Sequence, residues 1–234
     1  MINLLYNLFM SSPGEFLDSY SNYLRIPSVP EETTEKLAND MLLQYEQSQR
    51  YHHNIDHIKQ MAAFVVENKN EILRPREMMW KVLGHDLVYI PSIMIPGANE
   101  KFSADLTRMM LDPYLGERAL ERIGSDILST ATHKLINDSG DQAYLLDADL
   151  IILGSNPETF DQYDQNIRRE YAFLTDGSPE QQTAFNLARL TILEGFSTSN
   201  MLFYTETAQE QFEEQAKENL ERKINEYIDL TAKN

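Results

Sequence analysis

Apolar side chains recur at intervals of three and four residues along much of the chain, and this spacing places them on one face of an α-helix. The last segment gives the clearest case, with apolar residues at Ala208, Phe212, Ala216, Leu220, Ile224 and Tyr227. Their pattern predicts an amphipathic helix that packs against a hydrophobic core.

Proline motifs predict where several helices begin. Ser12 and Ser178 each start a Ser-Pro-x-Glu or Ser-Pro-x-Gln motif, in which serine caps the helix and proline occupies its first turn. An Asn-Pro pair at Asn156 is typical of the same kind of start. Strand signals are weak, since no Asn-Gly or Asp-Gly pair separates two alternating apolar runs, and TDGS at residues 175–178 fits a turn between helices.

Two further segments complete the fold prediction. LLDADLIILG (residues 145–154) has helical neighbours, so we expect a buried helix that ends at Gly154 rather than a strand. YIPSIMIPGANE (residues 89–100) contains two prolines and a glycine, and it is expected to be an irregular loop of a length that is often functional. The sequence therefore predicts one all-α domain over residues 1–234, in which residues 1–44 form helices that pack on the remainder, the first of them a short helix at MINLLYNLFM.

Composition narrows the class of protein. The 234 residues are 42% hydrophobic and 24% charged, which is ordinary for a soluble globular chain with a sizeable core. No run of about 18 apolar residues is present, so no membrane span is predicted. The apolar start lacks the basic residues and the cleavage site of a secretory signal. The chain has no cysteine, which excludes disulfides, zinc–thiolate sites and thiol nucleophiles and favours a reducing cytoplasm.

The net charge of −17 argues against a nucleic-acid polymer or an anionic membrane surface as a partner, because both require a basic face. A small phosphorylated substrate is compatible with this charge, since a bound metal and a few arginines can reverse the field locally. The helical pattern does not distinguish a core-facing helix from one at a subunit interface, so no oligomeric state is predicted.

Three of the five histidines lie within the segment QRYHHNIDHI, residues 49–58. If this segment is helical, His53 and His57 share one face and are close enough to hold one ion or one phosphate, whereas His52 points elsewhere. The alternative interpretation is a polar helix face that carries histidine without a ligand.

Two more histidines and two aspartates extend the set of candidate ligands. His85 and Asp86 are adjacent in LGHDLVY, and His133 follows an apolar stretch in LSTATHKL. Asp147 and Asp149 lie among leucines and isoleucines, where a carboxylate is costly unless it is paired or bound to a metal. Two residues apart on a helix they diverge, so we expect one to hold a metal and the other a helix terminus or an arginine. Imidazole and carboxylate donors suit Mn, Fe, Co, Ni or Zn, and also Mg where oxygen dominates.

The order of these residues resembles the HD superfamily of metal-dependent phosphohydrolases, and in particular a little-characterised branch of predicted HD phosphohydrolases. The resemblance runs from about Tyr45 to Asn225. Its motifs are RYHHNIDHI (50–58), HDLVY (85–89), NEKFSA (99–104), LDADLIILG (146–154) and RREY (168–171), followed by a tail that is similar to the family's last helix. In two departures, His52 stands where the branch commonly has tyrosine, and Gly84 replaces an aromatic residue and is expected to open space beside the metal.

The resemblance implies a helical HD-type domain with a metal site between its central helices. It implies four metal ligands: His57, His85, Asp86 and Asp149. Asp147 is the alternative to Asp149, since the choice depends only on the Ala-Asp-Leu order. His133 is a candidate for a second metal or a phosphate, or else a solvent-facing histidine near a helix end. His53 resembles a histidine that donates a proton to the leaving oxygen.

Other polar residues are candidates for substrate contacts. Arg50, Lys134 and Arg168 are candidate phosphate ligands, and each is alternatively a surface cation. Glu100 is placed to orient water or a histidine if the 89–100 loop folds over the site. Its alternative role is to favour the start of the following helix, behind an Asn99 N-cap.

The function expected from these observations is hydrolysis of a small phosphate ester, such as a nucleotide, by metal-activated water with one or two divalent ions. Two alternatives remain at this stage. HD-fold proteins include di-iron enzymes that activate oxygen, and the donors are compatible with that chemistry. The second alternative is a non-catalytic protein that binds a metal or a ligand.

Overall fold

The helices of the protein account for all of its described regular structure. The structure is a computed structural model that describes residues 12–92, 95–136, 140–172, 177–198 and 201–232. The helices are α1 (Pro13–Leu24), α2 (Glu31–Leu42), α3 (Ile55–Glu67), α4 (Pro75–Gly84), α5 (Ala98–Leu111), α6 (Glu117–Ser129), α7 (Gly140–Leu150), α8 (Pro157–Tyr171), α9 (Pro179–Ser197) and α10 (Glu206–Ala232), with 3-10 turns at Leu43–Glu46 and Ile151–Gly154. No strand occurs in these ranges, so the predicted all-α class is confirmed.

Some sequence predictions concern residues outside the described ranges. The short helix predicted at MINLLYNLFM falls there, as do the first two residues of the predicted TDGS turn. No described helix combines the length and the apolar character that crossing a membrane requires.

The predicted helix starts are confirmed. Ser12 and Glu15 form a capping box at α1, in which the Ser12 hydroxyl accepts the Glu15 N–H and the Glu15 carboxylate accepts the Ser12 N–H. Asn156 and Ser178 each accept a backbone N–H from the first turn of α8 and α9 respectively. These caps satisfy backbone donors that a helix leaves unpaired at its start.

Buried hydrophobic side chains from α1 to α10 form one continuous cluster. The last helix, α10, packs on α9 and on the Ile151–Gly154 turn. The predicted amphipathic pattern is confirmed, since the following residues are buried or partly buried against the core: Ala208, Phe212, Ala216, Leu220, Ile224 and Tyr227.

The segment predicted as a buried helix ending at Gly154 is buried and helical, but its last turn is tighter than expected. α7 ends at Leu150, and the chain continues as a 3-10 turn to Gly154. A Cβ on Gly154 would lie 2.5 Å from the backbone oxygen of Phe212, so α10 approaches the turn closely because this residue has no side chain.

The end of α4 is enclosed by α5 and α6. A Cβ on Gly84 would lie 2.5 Å from Thr107 Oγ1 and 2.9 Å from Ile127 Cδ1. The expectation that Gly84 opens space beside the metal is therefore wrong, because side chains of the neighbouring helices already occupy that space.

A buried ion pair joins α4 to α6. Lys81 Nζ lies 2.6 Å from Asp126 Oδ2, and both side chains are almost completely inaccessible to solvent. The other Asp126 oxygen accepts a hydrogen bond from Gln142 Nε2 of α7 at 3.0 Å. Lys81, Asp126 and Gln142 thus connect three helices in the core. Lys81 lies four residues before His85 in the chain.

Candidate metal centre

Three donor atoms converge between α3, α4 and α7. His57 lies in the first turn of α3, His85 directly follows α4, and Asp149 is near the end of α7. His57 Nε2 is 3.3 Å from His85 Nε2 and 3.2 Å from Asp149 Oδ1, and His85 Nε2 is 3.7 Å from the same oxygen. All three atoms lie within 4.8 Å of one another, and both histidines are buried.

These separations fit the coordination of one ion. Two ligands that are each about 2.1 Å from a metal are about 3.0 Å apart at a right angle and about 3.4 Å apart at the tetrahedral angle. The observed separations of 3.2 to 3.7 Å are close to these values. His57, His85 and Asp149 could therefore hold a metal ion.

Asp86 borders this group. Its Oδ2 lies 3.1 Å from His85 Nε2 and 3.9 Å from His53 Nε2. Its side chain is largely buried but reaches the pocket described below. The four residues implied as ligands are thus neighbours. Asp86 contacts His85, and His85 in turn lies beside His57 and Asp149.

Hydrogen bonds position His57 and His85 differently, at the ring of His85 and at the backbone of His57. His85 Nδ1 lies 2.9 Å from the Val82 carbonyl, which accepts its N–H and leaves Nε2 available as a donor atom. The Asn54 side chain caps α3 by accepting the N–H groups of Asp56 and His57. This cap fixes the backbone position of His57 in the first turn of the helix.

The local charges reinforce one another. Burial lowers the pKa of His85, but Asp86 and Asp149 outweigh it and raise the pKa to about 9. Burial raises the pKa of Asp149, yet His85, His133 and His57 hold it well below its usual range. The partly buried carboxylates of Asp86 and Asp149 are stabilised by adjacent positive charge, and a divalent cation among these donors would supply such charge.

His133 is joined to the same aspartate. It follows α6 in a left-handed backbone conformation, with φ of 49°, and its Nε2 lies 3.0 Å from Asp149 Oδ2. Asp149 therefore directs one oxygen at His57 and His85 and the other at His133. His133 is partly buried and contributes to the wall of the pocket rather than standing free in solvent.

The segment that precedes α3 departs from the prediction. His53 lies in a turn before the helix, because α3 begins at Ile55, so His53 and His57 do not share a helix face. The turn nevertheless brings their rings to a centroid distance of 6.1 Å. The expectation that His52 points elsewhere is also wrong, since its ring is 4.7 Å from that of His57 and lines the same pocket.

A buried glutamate in α8 holds His53. Glu170 Oε2 lies 2.7 Å from His53 Nδ1 and accepts the hydroxyl of Tyr89 at 3.0 Å, while Oε1 accepts the N–H groups of His52 and His53. The rings of His53 and Tyr89 stack at 4.1 Å. Burial lowers the pKa of His53, but Glu170 and Asp86 outweigh it and raise the pKa.

Sequence reasoning did not assign a role to Glu170. Glu170 lies 117 positions from His53. The only sequence feature that points to a functional role for it is its place in the RREY motif, residues 168–171. Because Nδ1 faces Glu170, the other ring nitrogen, Nε2, is directed at Asp86.

Asp147 serves a different partner from Asp149, as expected for two carboxylates two residues apart on a helix. Its Oδ1 accepts the Tyr204 N–H at 2.8 Å, and its Oδ2 accepts the Thr205 N–H at 2.7 Å. Asp147 therefore fixes the start of α10, whereas Asp149 lies in the donor cluster.

Arg50 does not line the pocket. Its guanidinium is buried, donates to the carbonyls of Asp86 at 2.7 Å and Leu87 at 3.0 Å, and lies over the Tyr45 ring. Arg50 thus supports the backbone that carries the His85–Asp86 pair.

The other two predicted phosphate contacts are also outside the pocket wall. Arg168 donates to Asn186 Oδ1 at 2.8 Å and lies over the Phe185 ring, so it joins α8 to α9. Lys134 is exposed and does not contribute to the wall.

Glu100 lies in the wall of the pocket, where burial raises the pKa of its carboxyl group. α5 begins at Ala98 behind Gly97, whose φ of 74° is the left-handed conformation that glycine adopts readily. The predicted Asn99 N-cap is therefore wrong. Asn99 instead accepts the Ile90 N–H at 3.0 Å and so ties the preceding loop to α5.

The pocket has a volume of about 300 Å³ and opens onto the donor cluster. Part of its wall is polar and contains His52, His53, Asp86, Glu100, His133 and Asp149. Another part is largely apolar and contains Leu150, Ile152, Ile167, Phe185, Ile192 and Phe196. Arg189 is the one arginine or lysine among the described residues of the wall, and sequence reasoning missed it.

Comparison of the chain with protein-family models, with curated proteins and with solved structures found no match.

Proposed function

We propose that the protein is a metal-dependent phosphohydrolase of the HD type that hydrolyses a small phosphate ester. The observation that carries the proposal is the convergence of His57 Nε2, His85 Nε2 and Asp149 Oδ1 within 4.8 Å of one another, beside a pocket of about 300 Å³. Asp86, the fourth residue of the proposed ligand set, adjoins this group and lines the pocket. A substrate in the pocket could thus reach the bound ion.

The chemistry of the donors supports this reaction class. Two imidazoles and two carboxylates suit a divalent transition metal, which when bound lowers the pKa of water and offsets negative charge on phosphoryl oxygens. The side chains of Asp86 and Asp149 line the pocket, where their oxygens can accept hydrogen bonds from the attacking water and orient it.

His53 is the proposed proton donor to the leaving oxygen. Glu170 accepts its Nδ1 hydrogen, so the second proton of the imidazolium lies on Nε2. The buried Glu170 carboxylate stabilises that cation, in the way that a carboxylate orients a catalytic histidine in other hydrolases. The stack on Tyr89 holds the ring in the wall of the pocket.

The size of the pocket supports a small substrate. A volume of about 300 Å³ corresponds to one small organic molecule, and the net charge of −17 disfavours a nucleic-acid polymer. The proposed partner is therefore a small phosphorylated compound.

A second candidate function follows from Asp149. Its Oδ1 faces His57 and His85 and its Oδ2 faces His133, so Asp149 and His133 could hold a second ion beside the first. Such a pair fits a two-metal phosphohydrolase and also an HD-fold di-iron enzyme that activates oxygen. The identity of the metal distinguishes the two.

The test is metal analysis followed by a substrate panel. Wild-type protein is expected to contain roughly one or two transition-metal ions per chain and to release phosphate from small phosphomonoesters or phosphodiesters. Iron that changes its absorbance on reduction, without phosphate release, would support the oxygenase. A metal whose chelation lowers the melting temperature, without turnover of any ester, would support a non-catalytic binding protein.

A further inference from the structure

Arg189 of α9 is a buried cation in the wall of the pocket. Its residue surface is 5% exposed, its Nε donates to Asp164 Oδ1 at 2.9 Å, and its guanidinium lies 5.1 Å from the centre of the Tyr163 ring. Burial lowers the pKa of Arg189, but Tyr163 and Asp164 outweigh it and raise the pKa, so the guanidinium stays charged beside the cavity. A buried cation in the wall of a cavity is placed to bind an anionic ligand.

The contacts of Asp164 fix the orientation of Arg189. Asp164 accepts Arg189 Nε through Oδ1 and the Tyr227 hydroxyl through Oδ2 at 2.9 Å. The carboxylate thus offsets part of the arginine's charge and holds it in the pocket wall through Nε.

Arg189 is separated from the donor cluster by two ring contacts. The Tyr163 ring is 4.6 Å from that of His52, and the His52 ring is 4.7 Å from that of His57. Arg189 and the cluster thus belong to one pocket but to different parts of its wall.

The same face of α9 is otherwise apolar. Phe185, Ala188, Ile192 and Phe196 line the pocket together with Arg189, and their spacing of three and four residues places them on one helical stripe. A ligand that lies along this stripe meets hydrophobic surface and one cation.

We propose that Arg189 binds an anionic oxygen of the substrate and that the apolar stripe of α9 binds its organic part. The substrate class is then an organophosphate that carries an aromatic or aliphatic group, rather than a highly polar phosphate such as inorganic phosphate or a sugar phosphate. That the anion is a phosphate rests on the proposed function, whereas the anion site itself rests on Arg189.

Equilibrium binding of phenylphosphonate, measured by calorimetry, tests this proposal. The carbon–phosphorus bond of this probe resists hydrolysis, so the result does not depend on turnover and distinguishes failure of this inference from failure of the proposed function. Wild type is expected to bind phenylphosphonate at least about 10-fold more tightly than methylphosphonate, which has the same anion without the ring.

Two variants with a matched control complete the experiment. Arg189→Lys retains a charge beside Asp164 but loses the planar fork, and it is expected to weaken phenylphosphonate binding about 10- to 100-fold. Ile192→Glu adds a negative charge to the stripe at a half-exposed position and should weaken binding without unfolding the chain. Thr191→Glu adds the same charge one residue away, outside the pocket wall, and should leave binding within about twofold of wild type.

Three results would overturn the inference. They are unchanged affinity in both Arg189→Lys and Ile192→Glu, equal weakening by Ile192→Glu and Thr191→Glu, and methylphosphonate binding as tight as that of phenylphosphonate.

Discussion

The Glu170 carboxylate contacts His53 through both of its oxygens: Oε2 lies 2.7 Å from Nδ1, and Oε1 accepts the backbone N–H at 2.9 Å. One buried side chain thus fixes the backbone position, the ring orientation and the protonated nitrogen of a histidine at the pocket. In the proposed function this relationship separates proton transfer from metal binding, since Glu170 does not contact Nε2 of His57 or of His85 in the described structure.

Glu170→Gln is expected to lower turnover of a phosphoester about 10- to 100-fold while leaving the metal content unchanged. Glutamine retains the size of the side chain but removes the charge that stabilises the imidazolium of His53. Steady-state kinetics and metal analysis of the same preparation measure the two effects. Tyr89→Phe, which removes one hydroxyl from the same carboxylate, is the milder control. Loss of the metal in Glu170→Gln would show that Glu170 supports the ligands and not the proton donor.

His57→Ala and Asp86→Ala are expected to lose the bound metal, because each removes one of the four proposed ligands. His53→Ala should retain the metal and lower kcat by about 100- to 10,000-fold, the usual effect of losing a general acid. Inductively coupled plasma mass spectrometry on untagged protein gives the metal content. If His53→Ala lost the ion as well, the assignment of His53 as a proton donor would be wrong.

Asp149→Asn and Asp147→Asn form a matched pair, since both remove one charge from α7 without changing its size. Asp149→Asn should lose the metal. Asp147→Asn should retain it but lower the free energy of unfolding by about 1–3 kcal/mol, because one of the N–H groups of Tyr204 and Thr205 loses its acceptor. Denaturant titration and metal analysis separate these outcomes. The reverse pattern would identify Asp147 as the ligand.

Lys81→Met is expected to lower the free energy of unfolding by about 3–5 kcal/mol, because it leaves the buried Asp126 carboxylate without its counter-charge. The double variant Lys81→Met/Asp126→Asn should recover at least half of the loss, since no buried charge then remains and the amide oxygen can still accept from Gln142. Urea unfolding measures both. A double variant no more stable than Lys81→Met would show that the pair contributes through packing rather than through charge.

Gly84→Ala is expected to destabilise the protein by about 1–3 kcal/mol, because the new methyl group would overlap Thr107 and Ile127. Gly124→Ala, inside α6, meets no atom within 4 Å and should stabilise the protein by about 0.4–1 kcal/mol. If the close contact decides the effect, the melting temperature falls in Gly84→Ala and rises in Gly124→Ala, relative to wild type. A neutral Gly84→Ala would show that α5 can move away from α4.

Local patterns were sufficient for most of the fold and for part of the site. The caps at Ser12, Asn156 and Ser178 and the amphipathic pattern of α10 depend on neighbouring residues, so they can be read from short segments. The divergence of Asp147 and Asp149 also follows from helical geometry alone.

The errors have specific physical causes. The spacing of His53 to His57 suits a helix, but the Asn54 cap starts the helix after His53. The sequence predicts Arg50 at a phosphate, whereas two of its acceptors are backbone carbonyls 36 and 37 positions away. Glu170 contacts His53 and Tyr89 of the pocket wall, and Arg189 lines the wall itself, only because α8 and α9 pack beside the pocket. Such contacts leave no periodic signal in the sequence.

The donor cluster draws its three residues from positions 57, 85 and 149, which lie in α3, directly after α4 and in α7. An ion held there is therefore a cross-link that closes two long loops of the chain, and its binding free energy adds to the stability of the folded state. Withdrawal of the ion would loosen the junction of α3, α4 and α7 and expose the chain to proteases more often. The cellular abundance of the protein would then follow the supply of its metal.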